Sequence, residues 1–361
     1  MPLVTTSSDP RIAGVGVTFP EQCIEQDQAR QAVCAAWDHF GVDYDLEWVD
    51  YFFERVGVKT RHLCLEPQAY ADIDSFGAAN DHYIRVATEL GASAVDKALA
   101  QAGLPADALD AIFFTTVTGV ASPSIDSRVI NRLELPRRIR RTPMFGLGCV
   151  GGAAGLARMA DYLRGHPDHA AVLLSVELCS LTLEREETSI ADYIAAALFS
   201  DGAAAVVGVG SELATRLEVT GPAMVDSRAA FFHDTEWVMG WNIDESGFGL
   251  VLSGDLPGVI DAELATEVDD FLGTHDLTRR DIATWISHPG GPKVLEAIHS
   301  ALELDDDALA LAWRSLEQVG NMSSASVLHV LQQTLAGGLD KGPAVLLAMG
   351  PGFAAEFVLL R

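Results

Sequence analysis

The chain is poor in positive charge, in cysteine and in long apolar runs, and each shortage removes a class of protein. Lysine and arginine number 24 against 51 aspartates and glutamates, a formal net charge of −27 over 361 residues. Such a surface repels phosphate, so no nucleic-acid partner is expected. No stretch is apolar for long enough to span a bilayer, so no stable membrane insertion is expected. Met1–Pro10 has no basic segment followed by an apolar one, which argues against a secretory signal and for a cytoplasmic protein. The five cysteines, Cys23, Cys34, Cys64, Cys149 and Cys179, are odd in number and scattered, with no Cys-x-x-Cys pair. A disulfide framework and a zinc site are both disfavoured, and no metal is expected. His166 and His169, in Gly165-His-Pro-Asp-His169, read as exposed loop residues rather than ligands. Gly14-Val-Gly16 begins like a dinucleotide fingerprint, but Phe19 stands where the third glycine belongs, so no nicotinamide cofactor is expected.

What remains is an apolar fraction of 49% with almost no low-complexity sequence, which fits one compact globular unit. Residues 11–20 read as a strand ending in a turn. Helical spacing follows over Glu21–Phe40 and Leu46–Val56, and an amphipathic helix over Thr88–Ala102 is closed by Gly103 and Pro105. Ala111–Thr115, Ala171–Val176 and Ala203–Val209 read as buried strands, with Asp201-Gly202 as a tight turn before the third. The second half repeats the alternation. Asp269–Leu277 and Val294–Ala301 are helical in pattern; Thr284–Ser287, Val345–Met349 and Phe353–Leu360 are strand-like. Alternation of this kind is the α/β class.

Three polar residues stand where strands hand over to helices or loops. Cys149 lies in Arg141-Thr-Pro-Met-Phe-Gly-Leu-Gly-Cys-Val-Gly-Gly-Ala-Ala-Gly155. The apolar run Pro143–Leu147 stops at Gly148, and a small-residue helix start follows. A thiol there meets unpaired N–H groups and the positive end of a helix dipole, which favour thiolate. A buried structural cysteine is the plainer alternative. His288 ends a short apolar strand in Trp285-Ile-Ser-His-Pro-Gly-Gly-Pro292, and Asn321 sits at a loop-to-helix junction in Gly320-Asn-Met-Ser-Ser-Ala325. Each motif alone reads equally as a turn or a cap. Together, a nucleophile, a base and an amide donor assembled in space become the better reading.

With these motifs in order, and with Leu198-Phe-Ser-Asp-Gly-Ala203 and Gly350-Pro-Gly352 beside them, the chain resembles the type III polyketide synthases of the chalcone synthase superfamily. The resemblance covers nearly the whole chain. Thr115-Thr-Val-Thr-Gly-Val-Ala-Ser-Pro-Ser-Ile-Asp126 and Ser175-Val-Glu-Leu-Cys-Ser-Leu-Thr182 place it near the bacterial alkylpyrone and alkylresorcinol synthases. It implies a thiolase-like fold, a duplicated αβαβα layered architecture. Residues 1–213 would form the half carrying the cysteine, and 214–361 the half carrying His288 and Asn321. It also implies a homodimer acting on acyl-CoA and malonyl-CoA, with an acyl-carrier protein as a possible donor.

The chemistry so implied is loading of an acyl group on Cys149, extension by decarboxylative Claisen condensation with malonyl-CoA, and cyclisation to an alkylpyrone. His288 would pair with Cys149 as imidazolium with thiolate, and with the Asn321 amide would donate hydrogen bonds to the enolate oxygen. No metal or redox cofactor is required. By the same resemblance Phe199 is a gatekeeper aromatic, and Leu250 falls at a second gate that is usually phenylalanine. Val117, Cys179, Thr182, Trp241 and Ser323 fall at cavity-lining positions. Val117 and Cys179 replace two hydroxyls of the plant enzymes, which makes the cavity more apolar and suits aliphatic starters. The anionic CoA needs a basic patch; Arg55, Lys59 and Arg61 match the family's CoA entrance, while Arg132–Arg141 is a second basic segment. Ala348-Met-Gly-Pro-Gly352 departs from the commoner Gly-Phe-Gly-Pro-Gly but keeps its turn. Rival readings are an alkylresorcinol synthase closing its ring by aldol chemistry, a β-ketoacyl-ACP synthase III performing one condensation, and a non-catalytic thiolase-fold partner.

Overall fold

The computed structural model describes residues 9–183, 185, 188–339 and 342–361; most of the segment read above for a targeting signal lies outside them. The first half runs β1 (Arg11–Thr18), β2 (Gln22–Glu25), α1 (Gln26–Phe40), α2 (Leu46–Arg55), β3 (Thr60–Leu63), α3 (Phe76–Ala102), β4 (Leu109–Thr116), α4 (Ile125–Arg132), β5 (Arg140–Phe145), α5 (Gly151–Arg164), β6 (Ala170–Leu178), α6 (Ile190–Leu198), β7 (Asp201–Val209) and α7 (Ser211–Arg216). The second runs β8 (Met224–Phe231), β9 (Met239–Ile243), β10 (Phe248–Leu252), α8 (Leu256–Gly273), β11 (Thr284–Ser287), α9 (Pro292–Leu302), α10 (Ala310–Val319), α11 (Ser324–Gly337), β12 (Ala344–Gly350) and β13 (Ala354–Leu360). No helix among the described residues is long and apolar enough to cross a membrane.

Two mixed sheets carry the fold, ordered β1-β7-β6-β4-β5 and β8-β13-β12-β11. β4 runs parallel to β6, which is antiparallel to β7, which is antiparallel to β1. In the second sheet β11, β12, β13 and β8 repeat those senses strand for strand. The duplication is therefore visible in strand pairing, where the sequence shows no self-similarity. Between the sheets lies one buried layer, built from α5 (Leu156, Met159, Leu163) and α11 (Val327, Leu328, Leu331) against Ile12, Leu173, Leu346 and Val358. The outer faces are covered by α3 on one side and by α8 and α9 on the other. This is the five-layer αβαβα arrangement expected. The two central helices approach so closely that a Cβ on Gly152 would stand 2.2 Å from the Ser324 carbonyl oxygen, a contact only glycine permits.

Five local expectations need correcting. Gln22–Glu25 is a strand paired with β3, not the start of a helix; α1 begins at Gln26, and Glu25 with Gln28 forms its capping box. α3 begins at Phe76 rather than Thr88, capped by the Ser75 side chain, because burial against the first sheet overrides its uneven pattern. α8 begins at Leu256, with a proline in its first turn, and ends at Gly273. Asp201 opens β7 rather than forming a turn. Its buried carboxylate accepts from the N–H groups of Cys64 (2.7 Å) and Ser180 (2.8 Å) and so ties two segments to the sheet. His166 and His169 are half-buried: they stack on each other, and His169 Nδ1 bonds the Tyr162 hydroxyl.

Candidate active site

Cys149 sits in a single 3₁₀ turn, Gly148–Val150, between β5 and α5. Gly148 has φ +51°, and a Cβ there would lie 2.5 Å from Cδ of Pro351. The Gly350-Pro351-Gly352 turn of the second half is thus the buttress behind the nucleophile, and the turn needs glycine both for its φ and for its space. His288 follows β11, its backbone N–H donating to Leu347 O at 2.8 Å. Asn321 lies just before α11. Its N–H donates to Leu198 O (3.0 Å), and its carbonyl accepts from Ser200 N–H (2.9 Å), a short parallel bridge alongside Phe199. The Asn321 Oδ1 accepts from Ser323 N–H at 2.8 Å, which fixes which end of the amide is which. Nδ2 is left with only a long contact to Gly290 O, at 3.4 Å.

All three side chains line one cavity of about 340 Å³. Both His288 ring nitrogens are buried and have no hydrogen-bond partner among the described residues. A buried imidazole without partners is costly, so the space beside it is prepared for a polar group of a ligand. No hydrogen bond joins Cys149 Sγ to His288 among the described residues. Sγ of Cys149 donates instead to Ser323 Oγ at 3.7 Å. Burial pushes the thiol up to about 12, with the charge of Glu177 adding to the rise and the Ser323 bond opposing it. Burial alone pushes His288 down to about 3. Desolvation thus acts on both groups in the direction of their neutral forms.

The structure brings Phe199, Leu250, Val117, Cys179, Trp241 and Ser323 to the same cavity. Trp241 and Leu250 are direct cross-strand partners in the β9–β10 hairpin, which turns both toward it. Trp241 is therefore a lining residue and not a remote core tryptophan. Thr182 is not there. It lines a smaller adjoining cavity of about 70 Å³, with Cys179, Phe199, Trp241 and Leu250 as the shared wall. Of the three basic residues assigned to CoA, Arg55 alone lies at the cavity, its guanidinium 4.2 Å from the Tyr51 ring centroid. Lys59 is exposed and paired with Glu317, away from the cavity. Arg61 points inward because β3 alternates and its side chain falls on the buried face. Burial pushes it down to about 9, with Asp201 opposing, so it remains charged at neutral pH. The second basic segment is also engaged elsewhere: Arg141 pairs with buried Asp126 at 2.6 Å.

Two residues were missed. Lys293, in the first turn of α9, lines the cavity beside the histidine motif that precedes it. Glu177, fully buried in β6, accepts from Thr118 Oγ1 (2.8 Å), Val117 N–H (3.0 Å) and Ser324, and burial pushes its carboxyl up to about 7. An acidic residue inside an otherwise apolar strand was the available signal.

A thiol, an imidazole and an amide around one buried chamber, on a duplicated five-layer fold, define a thioester-condensing acyltransferase. The chain belongs to the chalcone and stilbene synthase family, matching its N-terminal domain over residues 5–212 and its C-terminal domain over 223–361. It is 52% identical to a 1,3,6,8-tetrahydroxynaphthalene synthase of Streptomyces peucetius subsp. caesius, over 84% of this chain and 81% of that protein. It is 28% identical to the alpha-pyrone synthesis polyketide synthase-like Pks18 of Mycobacterium tuberculosis, over 96% and 90%. The crystal structure of the tetrahydroxynaphthalene synthase of Streptomyces coelicolor A3(2), a bacterial type III polyketide synthase, superposes with a TM-score of 0.89 at 26% identity, covering 97% of this chain and 98% of that one. The protein is a type III polyketide synthase.

Proposed function

We propose that this synthase builds its chain on Cys149 from malonyl-CoA and folds it into a polyhydroxylated aromatic product of the tetrahydroxynaphthalene kind. The observation that carries the catalytic part is the pair of unpartnered His288 nitrogens in the chamber that Asn321 and the thiol of Cys149 also line. In loading, His288 takes the thiol proton, Sγ attacks the thioester carbonyl, and CoA leaves as thiolate and receives that proton. In extension, the bond from malonyl Cα to its carboxylate breaks, carbon dioxide departs, and the electron pair passes into an enolate. The His288 N–H and Asn321 Nδ2 hydrogen-bond the enolate oxygen. The α-carbon then attacks the acyl carbonyl on Cys149, and the thiolate leaves. The chemistry needs no metal or redox group. Arg55 and Lys293, the two cations at the cavity among the described residues, are proposed to meet the CoA phosphates. The product assignment is supported by the 52% identity to the Streptomyces peucetius subsp. caesius synthase.

A second reading, an alkylpyrone from a fatty acyl starter, is supported by the apolar lining at Val117, Cys179 and Leu250 and by the likeness to Pks18. Incubating the purified protein with malonyl-CoA alone, and with a panel of acyl-CoAs, separates the two. A naphthalene-type product from malonyl-CoA alone supports the first reading; products only when a long acyl-CoA is added would replace it by the second. We also propose a homodimer through β5, an edge strand whose Phe145 is 49% exposed. Phe145→Glu should then yield a monomer in light scattering, and an unchanged mass would overturn that assembly.

A further inference from the structure

The geometry points to Arg61 as a positioning residue for Asn321 and Phe199, acting through the C-terminus of α6. The last carbonyls of a helix have no partner within it. Here those near the end of α6 are all taken up. Ala195 O receives Phe199 N–H at 3.0 Å. Arg61 Nη1 donates to Ala196 O (2.7 Å) and to Phe199 O (2.8 Å), and Nη2 donates to Ala197 O. Leu198 O receives the backbone N–H of Asn321. One guanidinium and the Asn321 backbone therefore share a single cap, interleaved residue by residue.

The arrangement has a physical logic. A cation at a helix C-terminus meets the negative end of the dipole, and a planar fork holds several acceptors at fixed angles. Gln26 steadies the fork from behind. Its Oε1 accepts from Arg61 Nη2, and its Nε2 donates to Ala197 O at 2.9 Å. The neighbouring residue of β3 adds a further fastening, with His62 N–H donating to Ser200 Oγ at 3.0 Å. Phe199 leaves the helix in extended conformation, and its bridge to Asn321 sets the height of the amide in the chamber. Without the guanidinium the carbonyls of Ala196 and Phe199 lose their donor, that of Ala197 keeps only Gln26, and the Phe199–Asn321 bridge loses the edge it rests on. Arg61 itself does not touch the Cys149 chamber.

The inference rests on the proposed role of Asn321 in decarboxylation, and the experiment keeps the two apart. Arg61→Met, Arg61→Lys, Gln26→Met and Asn321→Ala are compared with wild type in three assays: malonyl-CoA decarboxylation, acyl loading of Cys149 by intact mass, and hydrogen exchange at the Ser200 and Asn321 amides. Arg61→Met should slow decarboxylation about tenfold to a hundredfold, as a small misplacement of a catalytic group does. Loading should change only a few-fold, kcat should fall more than KM rises, and both amides should exchange faster. Arg61→Lys, which keeps the charge but not the fork, should recover part of the rate. Gln26→Met should show the same pattern more weakly, and it carries the test if Arg61→Met does not fold. Unchanged exchange at the two amides, or equal losses of loading and decarboxylation, would overturn the inference. Decarboxylation that survives Asn321→Ala would instead overturn the role given to Asn321, while the exchange result still decides the role of Arg61.

Discussion

Trp241→Ala is the sharpest test of how the chamber sets product size. The indole stands in the wall shared by cavities of about 340 and 70 Å³, so its removal joins them and adds its own volume. Replacing a fully buried tryptophan by alanine costs about 3–5 kcal/mol. Trp241 is only half-buried, and its ring meets that of Phe248 at 5.9 Å between centroids, so about 2 kcal/mol is expected. That lowers Tm by about 3 °C and leaves the protein folded. A long occupant fills the new space and recovers part of the loss, so the variant should gain more Tm from a long acyl-CoA than wild type does. In turnover with malonyl-CoA the product mass should move up by one or more C₂H₂O units, and longer acyl starters should be accepted. Chromatography with mass detection reads both. A variant with the expected Tm and the wild-type product spectrum across every starter would refute the argument that this wall limits the chain.

Other outcomes follow from the same geometry. Cys149→Ala should abolish polyketide formation while malonyl-CoA decarboxylation persists, because His288 and Asn321 remain; a starter trapped on another cysteine would refute the assignment of the nucleophile. Arg55→Ala should raise KM for CoA thioesters more than for N-acetylcysteamine thioesters, with added salt narrowing the gap; equal effects would move the phosphate site elsewhere. Alkylation of Cys149 by iodoacetamide, followed against pH, tests its coupling to His288. Burial raises the thiol in wild type and in His288→Gln alike, so a histidine that takes the thiol proton should make only the wild-type rate level off at the lower pH. Superimposable profiles would show that the histidine takes no share of the thiol proton.

The chemistry-bearing positions were legible because each stands at a break in periodicity: Cys149 after Gly148, His288 before Pro289, Asn321 after Gly320. Punctuation of that kind is local and survives in one sequence. The fate of the basic residues was not legible. Lys59 and Arg61 look alike in a row of letters, yet Arg61 falls on the buried face of the four-residue β3 while Lys59, just before that strand, is exposed and paired with Glu317. Gln22–Glu25 is too polar and too short to announce itself as a strand, and exists because β3 lies beside it. Thr182 failed for a similar reason: the short helical turn Cys179–Thr182 sends Cys179 to the chamber and Thr182 past its wall. Register with a relative fixes which residue is near, whereas only the local backbone fixes which way it faces.

The Pro351 buttress behind Gly148 has a consequence for when the protein becomes reactive. The elbow that presents Cys149 belongs to the first half, but the surface that shapes it arrives only with β12 and the turn after it. During synthesis the nucleophile is present long before its histidine, its asparagine and its backing wall. A nascent chain with the first sheet alone has a thiol but no chamber, and so no means of committing malonyl units to a chain. Catalytic competence is thus a property of the completed pair of halves. Local opening at the Gly350–Gly352 turn would switch it off without unfolding either sheet.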